Sequence, residues 1–408
     1  MSHRITRRTR IRTLVAATAV AIASMASAHA GKLDTTGLSS DGNDRFIVKY
    51  RDGSAEQRDV GNAKAALNRA ARAGAGGKAV ALGHVRRLAV GAEAVKADRK
   101  LDRAEAESLM QQLAADPNVE YVEVDRIMKP VFSPNDTYYA SHQWHYFEAT
   151  GGIKADLAWD VTNGTGQRVA VLDTGITAHT DLDTNILPGY DFISDAAMAR
   201  DGNGRDSNAA DQGDWSAAGE CGTGSTASNS SWHGTHVTGT VAAVTNNAKG
   251  VAGVAYGAKV VPVRVLGKCG GLTSDITDAI IWSSGGSVTG VPANAYPAKV
   301  INMSLGGGGA CSSTYQNAIN TAVGRGTVVV VAAGNSNADV SGFTPASCSN
   351  VIAVASTTRT GARSSFSNYG SLIDVAAPGS DIASTVNSGT TTPTTEGYSL
   401  MNGTSMAS

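Results

Sequence analysis

Aromatic side chains are scarce in this chain: 5 Trp, 11 Tyr and 6 Phe in 408 residues. Glycine is plentiful instead, at 47, so loops and close backbone approaches are expected to be common. No excess of one charge exists, with 34 Lys+Arg against 35 Asp+Glu, and nothing in that balance calls for a nucleic-acid partner. No apolar run is long enough to span a bilayer; the longest, near the N-terminus, has about 10–12 residues. Cysteine is limited to four, without a C-x-x-C spacing, which leaves a zinc or redox site with little support. What is present is 42% apolar residues, enough for a large core.

The neutral total hides an asymmetry. Residues 1–130 hold 22 basic and 15 acidic side chains, whereas residues 131–408 hold 12 and 20. Two units that attract each other, or a front unit that is removed, would account for this. Arg4, Arg7, Arg8, Arg10 and Arg12 precede the apolar stretch Leu14–Ala23, and Ala26-Ser-Ala28 or Ala28-His-Ala30 offers a small-residue cleavage site. This is the pattern of a secretory signal over residues 1–30, and it predicts a secreted, extracellular protein with no membrane contact after its removal. Export makes oxidation of Cys221, Cys269, Cys311 and Cys348 expected. Four cysteines allow three pairings; the sequence-local pairs Cys221–Cys269 and Cys311–Cys348 are favoured, although the sequence alone does not decide.

Residues 43–130 read as strand, helix, strand, helix, strand: Arg45–Tyr50, about Gly61 to Arg72, Arg86–Val90, Asp102–Leu113 and Asn118–Val124. That order predicts a small ferredoxin-like α+β unit. From about Ser133 the rhythm changes to near-continuous apolar runs: Arg168–Leu172, Val260–Leu266, Val300–Met303, Thr327–Val331 and Val351–Ala355. Helical segments such as Leu272–Ser283 and Thr314–Val323 separate them. Strands buried on both faces predict an α/β fold, a doubly wound, mostly parallel sheet covered by helices. Ligands of such sheets bind at the carboxyl ends of the strands.

Four motifs stand out, two at such ends and two at expected helix starts. Asp173-Thr-Gly-Ile follows the first run, where a turn aspartate is the commoner explanation. His233-Gly-Thr-His236-Val-Thr-Gly239 opens a helical stretch; its histidines are three apart with no following Glu, which rules out a zinc-protease helix, and His236 is assigned a structural role. Asn335 ends Val331-Ala-Ala-Gly-Asn335, and Ser405 lies in Asn402-Gly-Thr-Ser-Met-Ala, where an isolated Ser is usually a helix cap. Each alone is weak. In the order Asp, His, Asn, Ser they match one of the known chain orders of a catalytic triad.

These motifs resemble the three signatures of the subtilisin-like serine peptidases. The resemblance covers residues 133–408, and residues 31–132 resemble the inhibitory propeptide of that family. Asn335-Ser-Asn-Ala-Asp339 and Ser365-Phe-Ser-Asn-Tyr-Gly370 are similar to the proteinase K branch; Pro134-Asn-Asp136 and Ala243-Val-Thr-Asn-Asn247 are similar to the thermitase branch. The resemblance implies a serine endopeptidase with Ser405 as nucleophile, His233 as base, Asp173 as its orienting partner and Asn335 as an oxyanion donor. Ser304, Leu305 and Gly306, with Ala332, Ala333 and Gly334, would wall a pocket for an apolar or aromatic side chain. It also implies structural calcium, held at one site by Asp136, Asp181, Asn247 and the carbonyls of Val244, Lys249 and Val251. A second would use Asp374 with the carbonyls of Ser349 and Val351. Protein or peptide substrates, the chain's own propeptide as folding aid and inhibitor, and a monomer are the implied partners and state.

Rival readings exist. Gly222-Thr-Gly224-Ser-Thr-Ala227 fits a dinucleotide fingerprint, but no strand precedes it. Asp201-Gly-Asn203-Gly-Arg205-Asp206, with Asp211 and Asp214, fails the EF-hand pattern at Arg205 and is expected to be an acidic surface loop. In the resembled family the nucleophile opens a long helix, whereas this sequence stops three residues after Ser405. An inactive, C-terminally incomplete chain with the propeptide across the crevice is therefore the alternative expectation.

Overall fold

The computed structural model describes residues 30–408 apart from 41, 73–78 and 128–131, so the expected signal segment lies outside the described residues except for Ala30. The chain divides into two compact units, residues 1–129 and 130–408. Among the described residues no helix is long and apolar enough to cross a membrane.

In the first unit a five-stranded sheet runs in the order Lys32–Asp34, Val119–Val124, Asn43–Tyr50, Ala92–Leu101, Leu82–Arg87. Helices Val60–Arg72 and Arg103–Ala114 join it in one core around Phe46, Val48, Leu67, Leu109, Met110 and Val122. Asp102 and Glu105 form a capping box that starts the second helix. Two expectations are corrected here. The strand placed at 86–90 ends at Arg87, and the ten-residue strand Ala92–Leu101 went unread. Its charged residues hid the alternation: Glu93 is fully buried, and accepts from Arg87 Nε at 2.6 Å with His84 Nε2 2.7 Å away. A buried carboxylate paired in this way is tolerated inside a sheet, but breaks the pattern that marks one.

The second unit is built on seven strands in the order Val375–Pro378, Ile352–Thr357, Val328–Ala332, Val300–Met303, Arg168–Asp173, Lys259–Arg264, Tyr190–Asp191. Every neighbouring pair is parallel. Chain order runs from Arg168–Asp173 toward one edge and then, from Val300 onward, toward the other. The reversal lies beside Arg168–Asp173, and its carboxyl end is where such a sheet opens a crevice. Helices Thr273–Ser283 and Ser313–Gly324 contribute Ile276, Ile280, Ile319 and Ala322 to a core shared with Val261, Val263, Ile301, Val329 and Val331. The edge strands Tyr190–Asp191, two residues long, and Val375–Pro378, half of it exposed, escaped the sequence reading.

A hairpin, Ile382–Asn387 against Glu396–Met401, lies on helix His233–Ala242. Ser384 Oγ donates to the His236 carbonyl at 2.7 Å and Thr385 Oγ1 to that of Thr235 at 2.9 Å. Disulfides join Cys221 to Cys269 and Cys311 to Cys348.

Candidate active site

Asp173 is the last residue of its strand and is fully buried. His233 is the first residue of its helix, entered through Trp232 in a left-handed conformation (φ 53°). The two side chains meet, with His233 Nδ1 2.8 and 2.9 Å from the Asp173 carboxylate oxygens. Burial pulls the imidazole pKa down, but the charge and hydrogen bond of Asp173, reinforced by Asp214 and Asp211, outweigh it and hold the pKa above its usual value. A side chain on Gly234 would sit 2.2 Å from the Gly175 carbonyl, so only glycine lets the helix start approach the Asp173 turn this closely. His236 points away: it is fully buried, its Nε2 lying 3.0 Å from the Ile382 carbonyl.

Ser405 is the second residue of the short helix Thr404–Ala407. Its hydroxyl donates to the Ser304 carbonyl at 3.2 Å and makes no hydrogen bond to His233 among the described residues. Ser304 anchors this segment in return, its Oγ donating to the Ser405 carbonyl at 2.8 Å. Asn335 Oδ1 accepts from both the backbone N–H and the hydroxyl of Thr404, each at 2.9 Å. That arrangement commits the amide oxygen to Thr404 and leaves Nδ2 as a free-facing donor. A side chain on Gly403 would lie 3.5 Å from both Asn335 Nδ2 and Ser405 N, so these two donors flank one common space.

Ser304, Leu305, Gly306, Ala332, Ala333 and Gly334 all line one cleft of 330 Å³, together with Asn335 and Ser405. Phe343 and Thr344 form part of its wall and were missed by sequence reasoning. Asn368 was missed as well. It is fully buried, donates to the Ala333 carbonyl and accepts from Ser336 N and Ala338 N, which pins the loop carrying Asn335. A second cleft, 370 Å³, is lined by Thr174, Asp214, His233, Ser304 and the Cys221–Cys269 disulfide. Ser304 lines both clefts, so the serine side and the histidine side share a wall. The segment expected to be an acidic surface loop turns inward instead. Asp211 is 2% exposed, Asp201 reaches buried Arg264 at 3.2 Å, and Arg205 bonds Asp275 and Asp278.

Of the calcium candidates, Asp136 and Asp181 are both buried. Asp136 Oδ2 accepts from Asn246 N, while its Oδ1 is buried without a partner among the described residues. Asn247 Nδ2 donates to Asp181 Oδ1 at 2.6 Å, Val251 N to its Oδ2 at 3.1 Å, and Val244 N to its carbonyl. Lys249 Nζ pairs with Glu396 at 2.7 Å. Burial raises the pKa of both carboxyls, and for Asp136 the neighbouring Asp181 adds to it. Two buried carboxylates, one with an orphaned oxygen, are donors of the kind a hard cation takes, whereas the Asn247 amide turns its nitrogen to Asp181 and its oxygen to Lys249 N. The second set has no orphaned side-chain oxygen among the described residues. Asp374 is exposed and caps Ala353 N, the Ser349 carbonyl already accepts from Gln316, and Val351 is half-buried beside them. Among the described residues no group of three or more His, Cys, Asp or Glu is arranged to hold a metal.

Comparison with known proteins agrees with this architecture. Residues 164–408 match the model of the subtilase family. The chain is 63% identical over 384 residues to an "Extracellular protease" of Xanthomonas campestris pv. campestris, covering 93% of this chain and 66% of that one. It is 48% identical to an "Extracellular basic protease" of Dichelobacter nodosus, over 90% of this chain and 61% of that one. Thermitase of Thermoactinomyces vulgaris is 37% identical, over 68% of this chain and 81% of its own. The chain thus spans less than two thirds of the first two relatives. A solved structure described as "Proteases from Pseudoalteromonas arctica PAMC 21717" superposes with a TM-score of 0.67 at 61% identity, over 68% of this chain and 84% of that one. A parallel sheet that joins Asp173 to His233 and sets Ser405 beside Asn335, with identity of this extent, makes the chain a member of the subtilase family.

Proposed function

We propose that the chain is a secreted serine endopeptidase acting by acyl transfer, with Asp173, His233 and Ser405 as its triad. The observation that carries this reading is the pair of hydrogen bonds from His233 Nδ1 to the buried Asp173 carboxylate, which leaves Nε2 free to act as a base. A serine hydroxyl is a weak nucleophile until such a base removes its proton. Ser405 Oγ attacks the peptide carbonyl while His233 takes the proton. The imidazolium, stabilised by Asp173, then passes it to the leaving amine, and water releases the acyl group by the same route. Asn335 Nδ2 and the Ser405 N–H donate to the developing oxyanion.

Small residues on both walls of the 330 Å³ cleft, with Phe343 beside them, favour an apolar or aromatic side chain before the cut bond. Asp136, Asp181, Asn247 and the carbonyls of Val244, Lys249 and Val251 are proposed to hold calcium. Bound there, it neutralises two buried carboxylates and ties residues 136, 181 and 244–251 together. We assign residues 31–132 as the propeptide, an intramolecular folding aid and inhibitor, and residues 1–30 as the signal. A monomer acting on protein substrates outside the cell completes the reading.

Labelling with a fluorophosphonate, followed by peptide mapping, tests it. Modification of Ser405, abolished in Ser405→Ala, supports the assignment; a folded chain that takes no label on Ser405 overturns it.

A further inference from the structure

We propose that Asp211 is a positioning residue for the Asp173–His233 pair, acting through the hydroxyl of Thr174; this rests on the triad reading above. Thr174 is the joint between the two. Its backbone N–H donates to Asp173 Oδ1 at 2.7 Å, and its Oγ1 accepts from Gly234 N, next to His233, at 3.0 Å. That N–H belongs to the first turn of the helix and has no partner within it. The one proton of the Thr174 hydroxyl goes to Asp211 Oδ2, 2.7 Å away.

The polarity of this chain depends on Asp211. An ionised carboxylate only accepts, so it draws the threonine proton to itself and leaves an oxygen lone pair facing Gly234 N–H. If Asp211 is protonated, its O–H can donate to Thr174 Oγ1 and compete with Gly234 for that lone pair. Asp211 is itself held in place: Gly213 N donates to its Oδ1 at 2.8 Å, and its own N–H bonds the Ile176 carbonyl at 2.9 Å. Among the described residues it makes no ion pair, the nearest cation being buried Arg264, whose charge it feels. The join it controls has no slack, since a side chain on Gly234 would lie 3.2 Å from Asp173 Cβ.

Burial takes Asp211 up to about 6, against the bonds from Thr174 and Gly213, with Asp214 adding to the rise and Arg264 opposing it. The groups acting on His233 are Asp173, Asp214 and Asp211, and His236 couples to it. Acid therefore acts on the pair twice, by protonating His233 and by reversing the Thr174 hydroxyl.

The test compares Asp211→Asn, Thr174→Val, Thr174→Ser and the Asp211→Asn/Thr174→Val double variant in the full chain. A chromogenic peptide amide is the substrate, and proton NMR follows the low-field Nδ1–H signal of His233. Asp211→Asn is expected to lower kcat about 10-fold or more with KM unchanged, because small misplacements of reacting groups are costly. Its acid limb moves to lower pH, since a negative charge near the imidazole is gone. Thr174→Val gives a similar loss, the double variant is no worse than the worse single one, and Thr174→Ser, which keeps the hydroxyl, recovers most of the turnover that Thr174→Val loses. Unchanged kcat and acid limb in Asp211→Asn, or additive losses in the double variant, overturn the proposal. If wild type neither turns over nor takes a fluorophosphonate, the triad reading fails on its own account. The NMR titration of His233 in wild type and Asp211→Asn then decides the proposal separately, an identical midpoint and shift overturning it. Should Asp211→Asn not fold, the Thr174→Val and Thr174→Ser pair carries the same comparison.

Discussion

Two buried histidines outside the Asp173–His233 pair should each make the second unit's stability depend on acid, and the size of the effect follows from their surroundings. His145 is buried with neither ring nitrogen bonded among the described residues. Burial, with the neighbouring charge of His236, pulls its pKa down to about 3. His236, also buried, is pulled to about 4. Unfolded, both titrate near ~6.5. The folded state thus holds fewer protons than the unfolded one below that pH. Their contribution is whole above pH ~6.5 and is lost as the pH falls toward the folded values, at about 2 kcal/mol per histidine between pH 7 and pH 5. Buried carboxylates with raised pKa values act in the opposite sense. Burial raises Asp191 despite its pairing with Arg264, and Asp211, at about 6, gains about 1 kcal/mol over the same interval. These groups, together with the raised His233, Asp136 and Asp181, oppose the two histidines in the wild type, so the informative quantity is a difference. Wild type and His145→Leu are unfolded in urea at pH 7 and pH 5, followed by tryptophan fluorescence. All five tryptophans lie in residues 144–282, so the signal reports on the second unit alone. The stability of His145→Leu relative to wild type should rise by about 2 kcal/mol on going to pH 5. A difference that does not change with pH refutes the reasoning, because His145 would then titrate alike in both states.

Other outcomes follow from the same geometry. Asn335→Ala should lower kcat by about 10²–10³-fold at little cost in KM, as expected for one lost oxyanion donor; a KM effect alone would assign Asn335 to ground-state binding. Gly403→Ala should act similarly, because its methyl enters the space between Asn335 Nδ2 and Ser405 N, and fluorophosphonate labelling rates will show whether it does. Chelation should lower the melting temperature in wild type but not further in Asp136→Asn/Asp181→Asn; equal chelator effects in both would place the ion elsewhere. Replacing Cys221 and Cys269 by serine opens a link across 48 residues and should cost about 4 kcal/mol at most. An unchanged melt would mean that Arg200, stacked on Trp215, and Lys268, paired with Glu220, already hold the loop.

The parallel sheet was legible because its strands are continuous β-branched runs, and burial on both faces leaves no other pattern. Asp173, His233, Asn335 and Ser405 were legible as four short motifs, two just past the end of such a run and two at a helix start. Strands that depart from the rule were not. Ala92–Leu101 carries charges paired inside the fold, and Tyr190–Asp191 is too short to show a period.

Sequence by itself determined which residue types stand at the strand ends and in what order, since backbone patterning and local spacing are properties of the chain. Only the tertiary structure decided that Thr174 joins Asp173 to Gly234, that Asp211 faces inward, and that Asn368 and Thr404 orient Asn335. Those contacts across the fold link residues 35 to 69 positions apart. No local period encodes them, and each depends on a buried polar group finding its partner once the sheet and helices have packed.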